Sequence, residues 1–569
     1  MPKNKQQTRI KLEMPTNKLF GLFEINKDLD GILDKLSKNY QQNKENSIFE
    51  KTNLRKHLGI YYTHPFIAEK IVKDTLSEYS DKDLTKLTFY EPCVGLGIFI
   101  IKYLDYIFVQ RKINTAYIQQ VVDSIFFSDV DEEAVKIFIK ILPLYIKQKY
   151  DRLITVNPKN YFIGNVLFNV GKIVTKNDPL KRFGIESGFD VVITNPPYRL
   201  LKASSNKYDT KDENSSIINF IKKNKIYKFN EGSLNLYKIF VEEILENYTN
   251  NKGRIGLLIP NSILNDLQSE KLRKRIFEFE TSSFHIIPEK NSYFPEITQG
   301  FCFFSINKAR TSKGYLSLVP NIIRNDDIKS SPIKIEIKAL ELISDSLPVI
   351  IENELGWQIL KKIQNEAKLK TLHVLKNLRG ELDLTINKKY ITNSRTPLRL
   401  LRGTNIKEYD YLEGDNYVQE EFLTMLNSKQ KYVKIERLAC QQISNIHAKK
   451  RLKFAKIKPN YILGNSCNFI AIETNLFKDD IIDIDYLLVL FNSFLLDWRF
   501  KLTSSNNHIN NYELADLPIH KPTKEEVKKI KFLRKNSRIA LENYILEMYG
   551  LNKSEIYYIL NKYKNYPYA

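Results

Sequence analysis

The sequence predicts an α/β protein: a parallel, doubly wound sheet in the N-terminal half, followed by a separate α+β domain. Three observations predict it. Between Thr88 and Ile306, short apolar runs alternate with amphipathic helical stretches, and strands separated by helices of that length pair in parallel through crossovers. Two of the runs end in turn chemistry suited to the mouth of such a sheet, Glu91-Pro92-Cys93-Val-Gly95-Leu-Gly97 and Asn195-Pro196-Pro197-Tyr198. Beyond about Lys308 the alternation stops and the segments become irregular and turn-rich.

Residues 1–50 are polar, with one helical segment over Leu19–Leu36, and form an N-terminal helical extension. A helical stretch over Ile67–Tyr79 leads into the first strand. The strand-like runs are Thr88–Glu91, Ser124–Asp129, Asp190–Thr194, Gly253–Ile259 and Phe301–Ile306. Glu132–Leu144 and Leu236–Tyr248 carry helical spacing between them. This domain is expected over 51–310. The charged, Ser- and Asn-rich stretch 311–350 reads as a linker, 351–522 as the second domain, and the Lys- and Tyr-rich stretch 523–569 as a closing helical tail.

A chain of 569 residues with 43% hydrophobic content is long enough for more than one core and is not a disordered chain. Lys and Arg number 88 against 66 Asp and Glu, a formal net charge of +22 spread along the sequence. That balance suits a polyanion such as nucleic acid, or an anionic membrane surface. A genome rich in A and T, favouring Lys and Asn codons, contributes to the same excess. Cys93, Cys302, Cys440 and Cys467 are far apart, and no Cys/His spacing matches a zinc site, so no metal is expected. A reducing cytoplasm fits this usage. Met1–Lys18 is polar and lysine-rich, unlike a signal peptide, and no stretch approaches the apolar length of a membrane span.

The sharpest motif is Asp190-Val-Val-Ile-Thr-Asn195-Pro196-Pro197-Tyr198, an apolar strand running into a loop stiffened by two prolines. An amino nitrogen conjugated to a ring is a poor nucleophile, because its lone pair is delocalised. An Asn side-chain carbonyl and a proline backbone carbonyl can accept both of its hydrogens and stabilise positive charge growing on it. Tyr198 can stack on the planar ring. In Glu91-Pro92-Cys93-Val-Gly95-Leu-Gly97, alternate glycines permit a sharp turn and close approach to a ligand, and the carboxylate can pair with a cationic amine. Ile100 stands where a dinucleotide fingerprint has its third glycine, which argues against a pyrophosphate cofactor. In Phe127-Ser-Asp129-Val130-Asp131, Asp129 ends the second strand, where an acid can accept ribose hydroxyls, and Asp131 suits a helix N-cap.

Together these motifs resemble the S-adenosylmethionine-dependent, adenine-specific DNA methyltransferases of bacterial restriction–modification systems, in the order of their gamma group. The resemblance extends to Arg55-Lys-His-Leu-Gly59-Ile-Tyr61-Tyr62-Thr63-His64-Pro65, similar to the segment folding over the cofactor's methionine end. It extends also to Phe162-Ile-Gly164-Asn165-Val166 near the cofactor adenine, where the family usually has Asp in place of Asn165. Gly253–Asn261 is similar to the family's sixth motif, and Tyr293-Phe294-Pro295 to the one supplying a second aromatic face for the base. Arg399-Leu-Leu-Arg402-Gly403-Thr404-Asn405-Ile406 and Leu487–Pro518 resemble parts of target-recognition domains.

The resemblance implies a Rossmann-like methyltransferase domain with S-adenosyl-L-methionine as cofactor, and a C-terminal α+β target-recognition domain. It implies catalysis by Asn195, Pro196, Pro197 and Tyr198. Cofactor contacts are expected from Thr63, Glu91, Pro92, Cys93, Gly95, Gly97, Asp129, Val130, Asn165 and Val166, and base contacts from Tyr198 and Phe294. DNA contacts are expected from Arg402, Asn405, Asn506, Asn507 and His508, with Lys449 and Lys450 of the basic segment His447–Lys453. The partners implied are double-stranded DNA and a separately encoded restriction endonuclease. A fused enzyme that also cuts DNA is disfavoured, because only about fifty residues precede Arg55 and no Asp…Glu-x-Lys cluster stands there. An RNA or protein-glutamine methyltransferase remains the other reading, since Asn-Pro-Pro-Tyr serves those acceptors too. The second domain and the charge favour DNA.

Overall fold

The structure is a computed structural model describing residues 28–46, 62–77, 79, 84–109, 114–202, 211–294, 299–473, 482–504 and 506–566. The chain folds as two units, 1–337 and 338–569.

The first unit is built on a ten-stranded sheet. Its strands include β1 (Phe89–Glu91), β2 (Ile125–Asp129), β3 (Tyr161–Ile163), β4 (Phe189–Thr194) and β5 (Thr249–Pro260). Next come β6 (Phe284–Ile287), β7 (Phe301–Thr311), β8 (Tyr315–Val319) and β9 (Ile333–Glu336). The order is β9-β8-β6-β7-β5-β4-β1-β2-β3, and Phe279–Thr281 adds a short strand on β7. β5, β4, β1, β2 and β3 are mutually parallel. Side chains alternate across β1, and both faces are covered. Phe89 packs on Tyr103 at 4.3 Å on one side, and Tyr90 meets Phe189 at 4.5 Å and Tyr248 at 6.0 Å on the other.

Two expectations are corrected. β7 is a strand but runs antiparallel to β5, so the sheet is parallel through its first five strands and mixed beyond them. Within the stretch expected as a linker, residues 315–336 instead contribute to the sheet: β8 pairs in parallel with β6 and β9 antiparallel with β8. Buried Leu316, Leu318 and Ile335 commit this segment to the sheet despite its charge. Of the helix expected over Leu19–Leu36, residues 29–36 lie in the helix Leu29–Asn46, which continues beyond them, and residues 1–27 lie outside the described ones.

Local chemistry sets the helices that matter for the site. Pro65 opens the helix Pro65–Leu76, and His64 Nδ1 caps it by accepting from the Phe66 amide. Asp131 caps the helix Glu132–Tyr150, accepting from the Ala134 amide. Gly97, at φ +77°, begins the helix Ile98–Phe108, whose apolar residues enter the same core as Ile67, Ile71 and Phe138.

The second unit holds two four-stranded sheets. One runs in the order Leu375–Arg379, Cys467–Ile472, Arg437–Gln441, Phe454–Ile457. The other joins Ile391–Thr392, Tyr417–Val418, Leu398–Leu401 and Tyr461–Leu463. Helices follow, from Ile484–Phe491 through Lys553–Lys562, including the expected helical tail region. The buried Arg437 guanidinium is ion-paired with Glu381 and donates to the Tyr461 carbonyl at 2.7 Å. Among the described residues of the whole chain, no helix is long and apolar enough to cross a membrane.

Candidate active site

A cavity of about 190 Å³ lies where the loops after β1, β2, β3 and β4 converge. In a twisted parallel sheet this is the crevice beyond the carboxyl ends of the strands, spanning the point between β1 and β4 where the strand order reverses. The first loop contributes Glu91, Pro92, Cys93, Val94 and Gly95, and the second Asp129 and Val130. Asn165 and Val166 come from the third loop, Asn195 and Pro197 from the fourth, and Tyr62 and Thr63 complete the wall ahead of the helix Pro65–Leu76.

Glu91 is 1% exposed, and its Oε2 has no hydrogen-bond partner. Burial holds its carboxyl well above the usual carboxylate range, reinforced by the nearby Asp129. Gly95, at φ +51°, needs glycine: a Cβ there would meet the Tyr62 ring at 2.9 Å. The Asp129 carboxylate braces this loop, accepting from the Gly95 amide at 2.8 Å and the Asp131 amide at 2.9 Å. Burial nevertheless pushes Asp129 up to about 6.

Asn195 Nδ2 donates to Thr63 Oγ1 at 3.1 Å, and the Tyr198 hydroxyl donates to Asn195 Oδ1 and to the Leu258 carbonyl at 3.2 Å. Pro196 is buried behind them. The Tyr198 ring lies 5.3 Å from Phe301, and Phe294 lies 4.8 Å from the same ring on its own side. Phe294 is 4% exposed, so it sits in the core and offers no open face.

Some expected contacts are redirected. Gly97 does not line the cavity: its missing Cβ makes room for the Phe138 ring, which would stand 2.0 Å away, so this glycine serves helix packing. Asn165 lines the cavity, but its Oδ1 is used by its own turn, accepting from the Leu167 and Phe168 amides at 2.9 and 3.2 Å. Residues 51–61 of the segment ahead of Tyr62, and Pro295, lie outside the described residues.

Sequence reasoning missed a wall of the site. The helix Leu29–Asn46 places Ser37 on the cavity, and its Tyr40 hydroxyl donates to the Asp131 carboxylate at 3.1 Å. Asp30 of the same helix pairs at 2.6 Å with Lys102, whose side chain is buried. Lys102 was the available signal. A buried lysine in this largely apolar helix calls for carboxylates, and Asp105 of the same helix, at 3.9 Å, is joined by Asp30.

In the second unit the expected DNA-contacting segments come together. The Ser444 amide donates to the Asn507 carbonyl at 2.8 Å and the Ile446 amide to Asn507 Oδ1 at 2.8 Å. Lys449, Asn506, Asn507, His508 and Arg402 are exposed; Ser505 lies outside the described residues. Lys450 is corrected: it is buried, ion-paired with Glu408 and bonded to the Asn492 carbonyl, and does not face a phosphate. Asn405 spends its Oδ1 on the Arg402 amide at 2.8 Å, a local cap. Arg451 is also buried and staples the two loops, donating to Ser504 Oγ at 2.8 Å and the Asn506 carbonyl at 2.7 Å.

Residues 123–293 match the Eco57I restriction-modification methylase family, and 398–519 match the TaqI-like C-terminal specificity domain. No curated protein matches the sequence. The chain is similar in fold to the ATP-dependent Type ISP restriction-modification enzyme LlaBIII, solved bound to DNA, at 12% identity and a TM-score of 0.51. That match covers 89% of this chain and 41% of the other, so the chain spans less than half of that enzyme's length. The Type IIL restriction-modification enzyme MmeI, in complex with DNA, matches at 12% identity and a TM-score of 0.47, covering 92% of this chain and 78% of its own. The type IIG restriction endonuclease BpuSI matches at 12% identity and 0.43, covering 93% and 67%. The chain therefore carries, in order, an Eco57I-type restriction-modification methylase domain and a TaqI-like specificity domain.

Proposed function

We propose that the protein is a site-specific DNA methyltransferase acting on the exocyclic amino group of an adenine turned out of double-stranded DNA, with S-adenosyl-L-methionine as methyl donor. The observation that carries this reading is that Asn195 and Pro197 line the cavity that also holds Glu91, Gly95 and Asp129, with the Tyr198 hydroxyl hydrogen-bonded to Asn195. The donor set suits the cofactor: the unpartnered buried Glu91 Oε2 matches a cationic amino group, and Asp129 matches a ribose. When bound, S-adenosylmethionine supplies an electrophilic methyl group.

The chain's own residues do the rest. Asn195 Oδ1 and the Pro196 carbonyl accept the two amino hydrogens and stabilise positive charge growing on the nitrogen. Asn195 is held through its Nδ2 bond to Thr63, so its carbonyl needs little reorganisation. The Tyr198 hydroxyl occupies one of the two acceptor positions of Asn195 Oδ1, and its ring serves as the stacking face for the base. The biological role that follows is protection of host DNA, beside a restriction endonuclease of matching specificity that we place on a separate polypeptide.

Labelled cofactor incubated with the purified chain and duplex DNA is expected to mark N6 of adenine. Asn195→Ala should nearly abolish turnover yet retain cofactor binding, because the lost acceptor acts in the transition state. Label in cytosine, or only in RNA or protein, overturns the reading.

A further inference from the structure

The second unit contains two Arg-Gly pairs, Arg379-Gly380, whose arginine ends one strand, and Arg402-Gly403, which directly follows a strand of the other four-stranded sheet. Both glycines press on the turn Gly464-Asn465-Ser466. A Cβ on Gly380 would stand 2.0 Å from the Gly464 carbonyl oxygen, and one on Gly403 would stand 2.5 Å from that of Ser466. This close backbone approach fixes where the preceding arginines leave the fold.

Arg379 is exposed, yet its guanidinium is oriented. Nε donates to the Asn465 carbonyl at 2.8 Å and Nη2 to Gln442 Oε1 at 3.2 Å. The Gln442 backbone is itself fixed, its main-chain amide donating to the Ser466 carbonyl at 2.8 Å and its main-chain carbonyl accepting from the Ile509 amide at 2.7 Å. The remaining donors, on Nη1 and the outer side of Nη2, form a fork for two parallel acceptors. Other arginines of this unit spend their charge internally: Arg399 on Glu413 at 2.6 Å, Arg437 on Glu381, Arg538 on Glu408 and Glu542. Among the described residues no carboxylate lies within ion-pair distance of Arg379; Asp383, whose acidity it helps to strengthen, is engaged by the Thr385 and Ile386 amides and Asn465 Nδ2. Its two hydrogen-bond partners are neutral, so among the described residues no ion pair uses its charge. Through Gln442, Arg379 adjoins the loops that carry Lys449 and Asn506–His508.

We propose that Arg379 reads a guanine in the DNA target, its fork donating to O6 and N7 in the major groove, with Gln442 as the positioning residue. This rests on the reading of the chain as a DNA methyltransferase. A phosphate contact supplies affinity without sequence information and does not need a side chain held on two sides. A guanine edge does need a fixed fork, and a good bidentate contact discriminates against the wrong base by roughly 5- to 150-fold.

The experiment selects bound duplexes from a randomised pool with the full-length wild type and Arg379→Ala, and maps methylated motifs for the same proteins. Arg379→Ala should relax one G·C position of the target, leaving the other positions, cofactor binding and thermal unfolding unchanged. Arg379→Lys keeps the charge without the fork and should relax the same position, and Gln442→Ala should weaken it less. An unchanged motif with uniformly weaker binding and a shallower salt slope makes Arg379 a phosphate contact and overturns the proposal. An unchanged motif with unchanged binding overturns it as well. If Arg379→Ala fails to fold, Arg379→Lys decides on the same outcomes. A wild type that selects a sequence but methylates nothing sinks the methyltransferase reading, while the selection still decides the role of Arg379; a wild type that selects no sequence overturns both.

Discussion

Asp129 shows how one buried side chain couples the site to pH. Burial lifts its carboxyl to about 6, although the Gly95 and Asp131 amides stabilise the anion. Because the folded value is raised, its contribution to stability is complete below the ordinary carboxylate range and is lost as pH rises through about 6. Ribose hydroxyls donate to the anion, so a ligand using this carboxylate binds the ionised form. Cofactor affinity is then expected to rise with pH up to about 6 and level off above it, changing by up to about tenfold per unit on the acid side. Asp129→Asn should flatten that profile. Calorimetry between pH 5 and 8 checks it, and equal slopes for the two proteins would move the ribose contact elsewhere. Residues of this kind are legible in the sequence because their chemistry is local: a strand end, then an acid or an Asn-Pro-Pro-Tyr turn. Lys450 and Arg451 are not legible in this way. Within a run of basic residues, sequence alone does not say which will find Glu408 or the Asn506 carbonyl in the interior.

At the level of elements, glycines separate into those that serve the cavity and those that serve packing. The motif around Gly97 suggests a cofactor contact, but its lack of a side chain lets the helix Ile98–Phe108 pass close to Phe138. Gly97→Ala combines a strained positive φ with a clash in the core, and should cost about 2–5 kcal/mol in chemical denaturation. Gly184 provides the control. It caps the helix Pro179–Phe183 at φ +70°, and a Cβ there would meet nothing within 4 Å, so Gly184→Ala should cost only about 1–2 kcal/mol. Equal losses would return Gly97 to a purely backbone role. The same distinction explains which elements are readable. Strands β1, β2 and β4 declare themselves by apolar runs ending in functional turns, whereas β9 is a short edge strand that alternates apolar with charged residues, and β8 beside it is a five-residue run set in a charged stretch. The helix Leu29–Asn46 escapes placement from sequence because its contacts to the site are made by single polar residues, Asp30, Ser37 and Tyr40, which form no pattern along the chain.

For the whole molecule, the division into two units sets a division of labour. Every residue lining the cavity belongs to the first unit, and the exposed Arg379, Arg402, Lys449 and Asn506–His508 belong to the second. On the proposed activity, turning an adenine out of a duplex costs a few kcal/mol, which a small pocket does not recover alone, so contacts elsewhere on the DNA must offset it. The fragment that isolates the first unit has to end at 337, since a cut at 330 removes β9 and frees the edge of β8, and a cut at 311 removes both strands. Residues 1–337 are expected to bind S-adenosylmethionine with nearly the affinity of the full chain and to methylate duplex DNA poorly and without a sequence motif. The full chain should bind DNA with an affinity that falls steeply with salt, as its net charge of +22 and the counterions it releases require. Titration of cofactor into both proteins, together with methylation maps of DNA treated with each, decides the point. A fragment that folds, binds cofactor and reproduces the full-length motif would remove the second unit as reader, and with it the assignment to Arg379, while leaving the chemistry at Asn195 untouched.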